Sequence, residues 1–330
     1  MSDSRKDTIE KIKVVSQYYD WPFPVFGNID RPKIKVFEIN KKKFLEDFER
    51  AMSKESKSKN PICKSLTNKP IINERAVGSV AEVVTKVVDS VLLATPRNDK
   101  NLSLELTLAL RKELTEMRRT VFSDRNEPLQ NAWIFYIVYY WGGIKSLRKV
   151  GWEAIRNQAF EILSTTFQNS PQRTEQNKIP FKRIASLSKV LAFFNEKDFF
   201  IYDSRVGLNL AFLERKLERN NKNGQTVEFT FPIPPGRSKR AEKFKGKKFK
   251  CKKSETYSKY CQYLNEVAAN LFLSDKESQL VESCLFSIKE DEENAWTHVQ
   301  LPPVKELSAE CIAEAIRQTF FKTSTLSCEK

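Results

Sequence analysis

The clearest signal along the chain is a helical period. From Asn73 onward, Val77, Val80, Val84, Val87, Val88 and Val91 recur at three- and four-residue steps, an apolar stripe on one helix face despite the β-branching that disfavours valine in helices. Pro96 closes that stretch. The next segment, LSLELTLAL from Leu102, alternates like a strand, yet Leu110, Leu114, Met117 and Val121 return at helical spacing, so the longer run predicts a helix. Further helices are expected at 127–141, 151–167, 181–195, 203–217, 254–273, 275–288 and 304–321. Residues 1–60 read as a basic, mixed region: a short helical stretch, a WPFP turn at 21–24, an extended IKVFEI, a helix started by Asn40 and a polar loop at 54–60. Few hairpin-turn signals separate these segments. The expected class is therefore mainly α, with a small N-terminal strand element. The chain divides on this reading into an N-terminal mixed region 1–70, a helical core 71–230, a basic loop 231–253 and C-terminal helices 254–330 packing on the core.

Composition narrows the function classes. The 330 residues suffice for one large domain or two ordinary ones, and 40% hydrophobic content with 23 Phe argues against a disordered chain. The 57 Lys+Arg exceed the 42 Asp+Glu by 15, a balance that suits a polyanionic partner and makes nucleic acid the first hypothesis. His298 is the only histidine, which disfavours hydrolase triads and multi-histidine zinc sites. Cys63, Cys251, Cys261, Cys284, Cys311 and Cys328 form no C-x-x-C pair and no tight cluster, and they read as reduced, mostly buried thiols of a cytosolic protein. With nine Gly and no glycine-rich phosphate loop, a nucleotide-driven motor or a dehydrogenase is disfavoured. The polar start MSDSRKDTIEK shows no apolar signal core, and the longest apolar run, 132–141, is well short of the roughly 20 residues that span a bilayer. No membrane association is expected.

The charge surplus is local. Between Arg237 and Lys253 the sequence RSKRAEKFKGKKFKCKK carries ten basic residues and one acid, with Phe244 and Phe249 interleaved. Two readings are open: a solvated loop held apart by like charge, or a phosphate-binding segment in which Arg237, Lys239, Arg240, Lys243, Lys245, Lys247 and Lys248 displace counterions and the two rings stack on or wedge beside bases. The acidic cluster Glu290 to Glu293 reads as a solvated loop.

Residues 179–217, IPFKRIASLSKVLAFFNEKDFFIYDSRVGLNLAFLERKL, are the most informative. They read as a basic turn, a helix with apolar Leu187, Val190, Leu191 and Phe194, a loop, an extended FFIY, and a second helix opened by Asp203. Asp203 is an ordinary N-cap by itself, its carboxylate accepting the amides that follow where the helix dipole favours negative charge. The turn KRIAS, the helix SLSKVLAFF and the segment FFIYDSRV together resemble the helix-hairpin-helix superfamily of DNA glycosylases, in particular divergent bacterial proteins of the 8-oxoguanine-glycosylase fold, over about residues 125–220. The hairpin of that family is glycine-rich, whereas Pro180-Phe181-Lys182-Arg183 has no Gly; Lys189 stands 14 residues before Asp203, about one helical turn closer than usual; and the family's iron-sulfur cysteine loop is absent.

The resemblance implies helical glycosylase-like domains and base excision: a damaged or modified base flipped from duplex DNA, its N-glycosidic bond hydrolysed, an abasic site left behind. Antiviral enzymes acting on modified cytosine in phage DNA are among such bacterial relatives. Asp203 takes the catalytic position. Lys189 takes the position at which strand-cutting members form a Schiff base, and a phosphate contact or an exposed helix charge is its other reading. Lys182, Arg183, Ser186, Ser188 and Arg205 become DNA contacts around the hairpin. Trp133, Tyr136, Tyr140 and Tyr202 are candidates for a base pocket, against the commoner role of such rings as core. No metal or cofactor is implied, and the expected protein is a cytoplasmic monomer, nucleoid-associated when on double-stranded DNA. The rival is a non-catalytic DNA-binding protein that retains the fold.

Overall fold

The computed structural model describes residues 39–53, 70–95, 102–123, 126–145, 149–168, 179–195, 198–220, 229–235, 239–271, 273, 278–287, 296, 299–300 and 307–320. Among these the chain is mainly helical, with ten α-helices: α1 Lys41–Ser53, α2 Glu74–Ala94, α3 Leu102–Ser123, α4 Glu127–Phe135, α5 Lys149–Gln168, α6 Ile184–Phe194, α7 Ser204–Asn220, α8 Thr256–Asn270, α9 Ser278–Ser287 and α10 Ala309–Phe320. The WPFP turn, the IKVFEI strand element up to Glu38, the polar loop 54–60, Cys63, the acidic cluster, His298 and Cys328 lie outside the described residues. No described helix is long and apolar enough to cross a membrane.

The described residues gather into two compact units that are not sequential. One is drawn from Phe23–Ile179 and Ser186–Ile201, the other from Pro180–Ala185 and Tyr202–Lys330.

In the first unit, caps and packing explain the helices. Asn40, Asn73 and Asn126 each turn a side-chain oxygen onto an otherwise unmatched amide, of Lys43, Ala76 and Leu129 at 2.9, 2.8 and 3.2 Å. The valine stripe of α2 is buried through Val77, Val80, Val84, Val87 and Val88, and α2 packs on α3 and α4. That burial outweighs valine's few tenths of a kcal/mol of helix disadvantage, since enclosing each side chain is worth about 1.5–3 kcal/mol. The alternating LSLELTLAL belongs to α3, where Leu106, Leu110, Leu114 and Val121 face the core. The helix expected at 127–141 is α4 to Phe135 and then a π-helical turn, Tyr136–Trp141. Phe44, Phe48, Phe135 and Trp152 meet edge-on at centroid distances of 5.1 to 6.1 Å, the favoured aromatic geometry. At the end of α6, Thr115 Oγ1 donates to Phe193 O at 2.7 Å and the Arg118 guanidinium donates to Phe194 O, satisfying carbonyls the helix leaves open.

In the second unit, α8 packs on α9 and α10, and α9 packs on α7. Tyr257, Tyr260, Cys261, Leu264 and Val267 of α8 form its core with Cys284 and Leu285 of α9 and Ile312 and Ile316 of α10. Buried Asn209 on α7 donates to Leu285 O at 2.5 Å, and Arg317 donates to Asn270 O at the end of α8. The described cysteines, Cys251, Cys261, Cys284 and Cys311, are free thiols and buried. Burial pushes the Cys284 thiol well up from its ordinary range.

Candidate functional site

The segment FFIYDSRVG ends a buried extended stretch and starts α7. Asp203 is 9% exposed, and its Oδ1 accepts Arg205 N at 3.0 Å and Val206 N at 3.2 Å, while its carbonyl accepts Gly207 N at 3.0 Å. It is the N-cap itself, so the helix expected from 203 begins one residue later. Around it the backbone is tightly fixed. Tyr202 is enclosed, its hydroxyl donates to Pro232 O at 2.9 Å, and its ring lies 4.4 Å from that of Tyr260. Gly207 brings α7 so close to 232–235 that a Cβ would stand 2.6 Å from Pro234 Cδ, which only glycine avoids.

Further along α7, two residues hold the basic tract. Phe212 meets Phe244 edge-on at 5.1 Å, and Phe244, 3% exposed, also meets Phe229 at 5.4 Å. Glu214, 2% exposed, accepts Thr230 N on Oε1 at 2.7 Å. Thr230 O in turn accepts Cys251 N at 3.0 Å, beside a parallel bridge in which Phe229 N donates to Lys248 O and Lys250 N to Phe229 O. Burial raises the Glu214 carboxyl to about 7, against the lowering effect of the Thr230 hydrogen bond and the Lys250 charge. Sequence reasoning missed Glu214, because a glutamate inside LERKLER looks like an ordinary solvated helix charge.

The tract is thus not simply a solvated loop. Residues Lys239–Phe244 form a 3-10 helix, and the chain turns back at Gly246, whose φ of 83° suits glycine. Of the expected phosphate contacts here, Lys243, Lys245, Lys247 and Lys248 are exposed; Arg237 and the side chains of Lys239 and Arg240 lie outside the described residues. Phe244, expected to meet bases, instead anchors the tract in the protein, a burial worth about 2–3 kcal/mol. Phe249 is half-buried.

The tract lines one part of an open cavity of about 470 Å³. Phe181 and Lys182 of the 3-10 turn Phe181–Arg183, the proline-rich strip 232–235, and Lys245, Lys247, Phe249 and Lys253 line it. The Lys253 ammonium sits 5.6 Å from the Phe181 ring centroid, and that of Lys247 5.5 Å from Phe229. Among the described residues four lysines and no carboxylate line the cavity, an arrangement that attracts anions. Prolines at 232, 234 and 235 each fix their own φ and stiffen this strip.

The remaining candidates are distributed differently. Arg183 is half-buried and Arg205 lies over the Phe286 ring at 5.2 Å, whereas Ser186 and Ser188 are buried on α6. Lys189 is 3% exposed in the first unit, its stem beside Gly142, so it is not an exposed helix charge. Trp133 is enclosed and donates its indole N–H to Leu114 O at 3.1 Å; Tyr136 is enclosed; Tyr140 is half-buried, stacked on Phe44 at 4.9 Å with its hydroxyl donating to Asp47 Oδ2 at 2.9 Å. Burial pushes the Tyr136, Tyr140 and Tyr202 phenols well up from their ordinary range. These rings are packed as core. Among the described residues no group of three or more His, Cys, Asp or Glu stands close enough to hold a metal ion.

The chain matches no protein-family model, no curated protein and no solved structure.

Proposed function

We propose that the protein binds duplex DNA and acts as a DNA glycosylase, hydrolysing the N-glycosidic bond of a damaged or modified base with Asp203 as the catalytic carboxylate. The observation that carries this reading is the fixing of Asp203: two amides on one oxygen, an enclosed Tyr202 before it and a clamped Gly207 after it. A carboxylate so held offers negative charge without reorganising, which is what a sugar developing oxocarbenium character needs. The same group positions the attacking water and takes its proton. Extruding the nucleotide costs a few kcal/mol, least for a damaged or mispaired base, and the exposed lysines of the second unit supply attraction to the backbone. Monofunctional excision, without strand cleavage through Lys189, is the form proposed.

A second reading, non-catalytic DNA binding, is favoured by the fact that capping α7 already accounts for Asp203 structurally. Incubation with duplexes carrying uracil, oxidised, alkylated and hyper-modified cytosine bases, and with modified phage DNA, followed by abasic-site cleavage, separates the two. The expected result is base release by the native protein and none by Asp203→Asn, with DNA affinity retained because Asn also caps helices. Release from no substrate would overturn the enzymatic reading.

A further inference from the structure

We infer that the lysine-lined cavity beside the basic tract is a binding site for one nucleoside monophosphate unit, its base against Phe181 and Phe249 and its phosphate among Lys182, Lys245, Lys247 and Lys253. Its volume of about 470 Å³ lies within the roughly 300–1,000 Å³ of small-molecule pockets and far exceeds what a bare phosphate fills. Its surfaces are of two kinds. The apolar lining comes from the rings of Phe181, Phe244 and Phe249, prolines at 232 and 235, and Ile233. The charged lining is the four lysines. A ligand that uses both must be apolar at one end and anionic at the other. An isolated phosphate leaves the apolar lining unused, and an uncharged ring leaves the lysines unused.

The site is also stiffly built. The wall 232–235 is tied to the start of α7 through the Tyr202 hydroxyl and the Gly207 approach, and the opposite wall is pinned by Phe244 between Phe212 and Phe229. Lys253 is held over Phe181, so a cation already stands beside one of the rings a base would contact. Preformed walls lower the ordering cost of binding. The inference shares with the proposed function only the expectation of a nucleotide ligand, and it does not require base release.

The test uses the full chain, titrated with dTMP, thymidine, inorganic phosphate, a short oligothymidylate and vesicles of anionic phospholipid. Binding of dTMP or the oligonucleotide is expected at least about tenfold tighter than thymidine or phosphate, because base stacking and ion pairing then act together. Preference for the oligonucleotide assigns the unit to a DNA strand, and preference for dTMP to a free nucleotide; either supports the site. Phe249→Ala and, independently, Lys182→Glu on the exposed turn should each weaken that binding about tenfold, with unchanged helical circular dichroism. Phosphate competing as well as dTMP, vesicles competing better than either nucleotide form, or both variants binding like the native protein would overturn the inference. Asp203→Asn should bind dTMP normally. Native protein that binds nucleotide yet releases no base would therefore end the glycosylase reading and leave this one standing.

Discussion

Two stretches of the molecule use their aromatic residues in opposite ways. In 129–141 of the first unit the rings sit among apolar neighbours, so the middle of the stretch sinks: Trp133, Ile134, Phe135, Tyr136, Ile137 and Val138 are all enclosed, and Tyr139 and Tyr140 are half-buried. In the basic tract of the second unit each ring is flanked by lysines, so only the ring can be buried. Phe244 is enclosed while Lys243 and Lys245 on either side stay exposed. The buried rings of the first unit make a core. Those of the second act as pegs that hold a row of cations at a surface, against the self-repulsion such a row suffers.

The contrast can be broken first by removing a ring from each side. Trp133→Ala should lower unfolding stability by about 3–5 kcal/mol in a denaturant titration, with no specific loss of DNA affinity beyond the unfolded fraction. Phe244→Ala should cost about 3 kcal/mol and also release the tract, so its remaining folded molecules should bind DNA more weakly. Equal DNA affinity of the folded fractions of both variants would erase the distinction.

Glu214 sharpens the same comparison through pH. Its carboxyl is raised from 4.5 to about 7 by burial. Below the lower value it is neutral in both folded and unfolded chains. Between the two values the unfolded chain loses the proton and the folded chain keeps it, so stability falls as pH rises through this window, by roughly 3 kcal/mol in all, and is flat above it. Glu214→Gln should keep the acceptor for Thr230 N and remove that decline. The mutant should thus be more stable than the native protein at pH 8 and no more stable at pH 4, read from thermal melts at the two values. The smallest stability effect is expected at the lysines themselves. Lys245→Glu with Lys247→Glu should move stability by about 0.5 kcal/mol per site or less, while flattening the salt dependence of duplex binding. An unchanged salt slope would mean that these cations do not meet the DNA backbone.

Legibility in the sequence followed the physics of each signal. The helices were readable where apolar spacing and a capping residue agreed, as at Asn40, Asn73 and Asp203. The ambiguous LSLELTLAL was decided by the longer period around it. The π-helical widening after Phe135 had no sequence signal, since both helix types bury the same apolar residues. In the candidate site, the exposed lysines were readable from charge density, because a run of like charges has to stay in water. The burial of Ser186, Ser188 and Lys189 was not readable, because a polar residue among apolar ones can face either way on a helix.

The amino-acid sequence by itself determined the mainly helical class, most helix starts, the cap at Asp203 and the concentration of positive charge in one tract. These are local properties, set by period, by side-chain chemistry and by residues near one another in the chain. Only the tertiary structure decided that Phe244 faces inward, that Glu214 is buried against Thr230, and that Lys182 and Lys253, 71 positions apart, line the same cavity. Those outcomes depend on which surfaces exclude water together, and neither the period nor the side-chain chemistry along the chain records that.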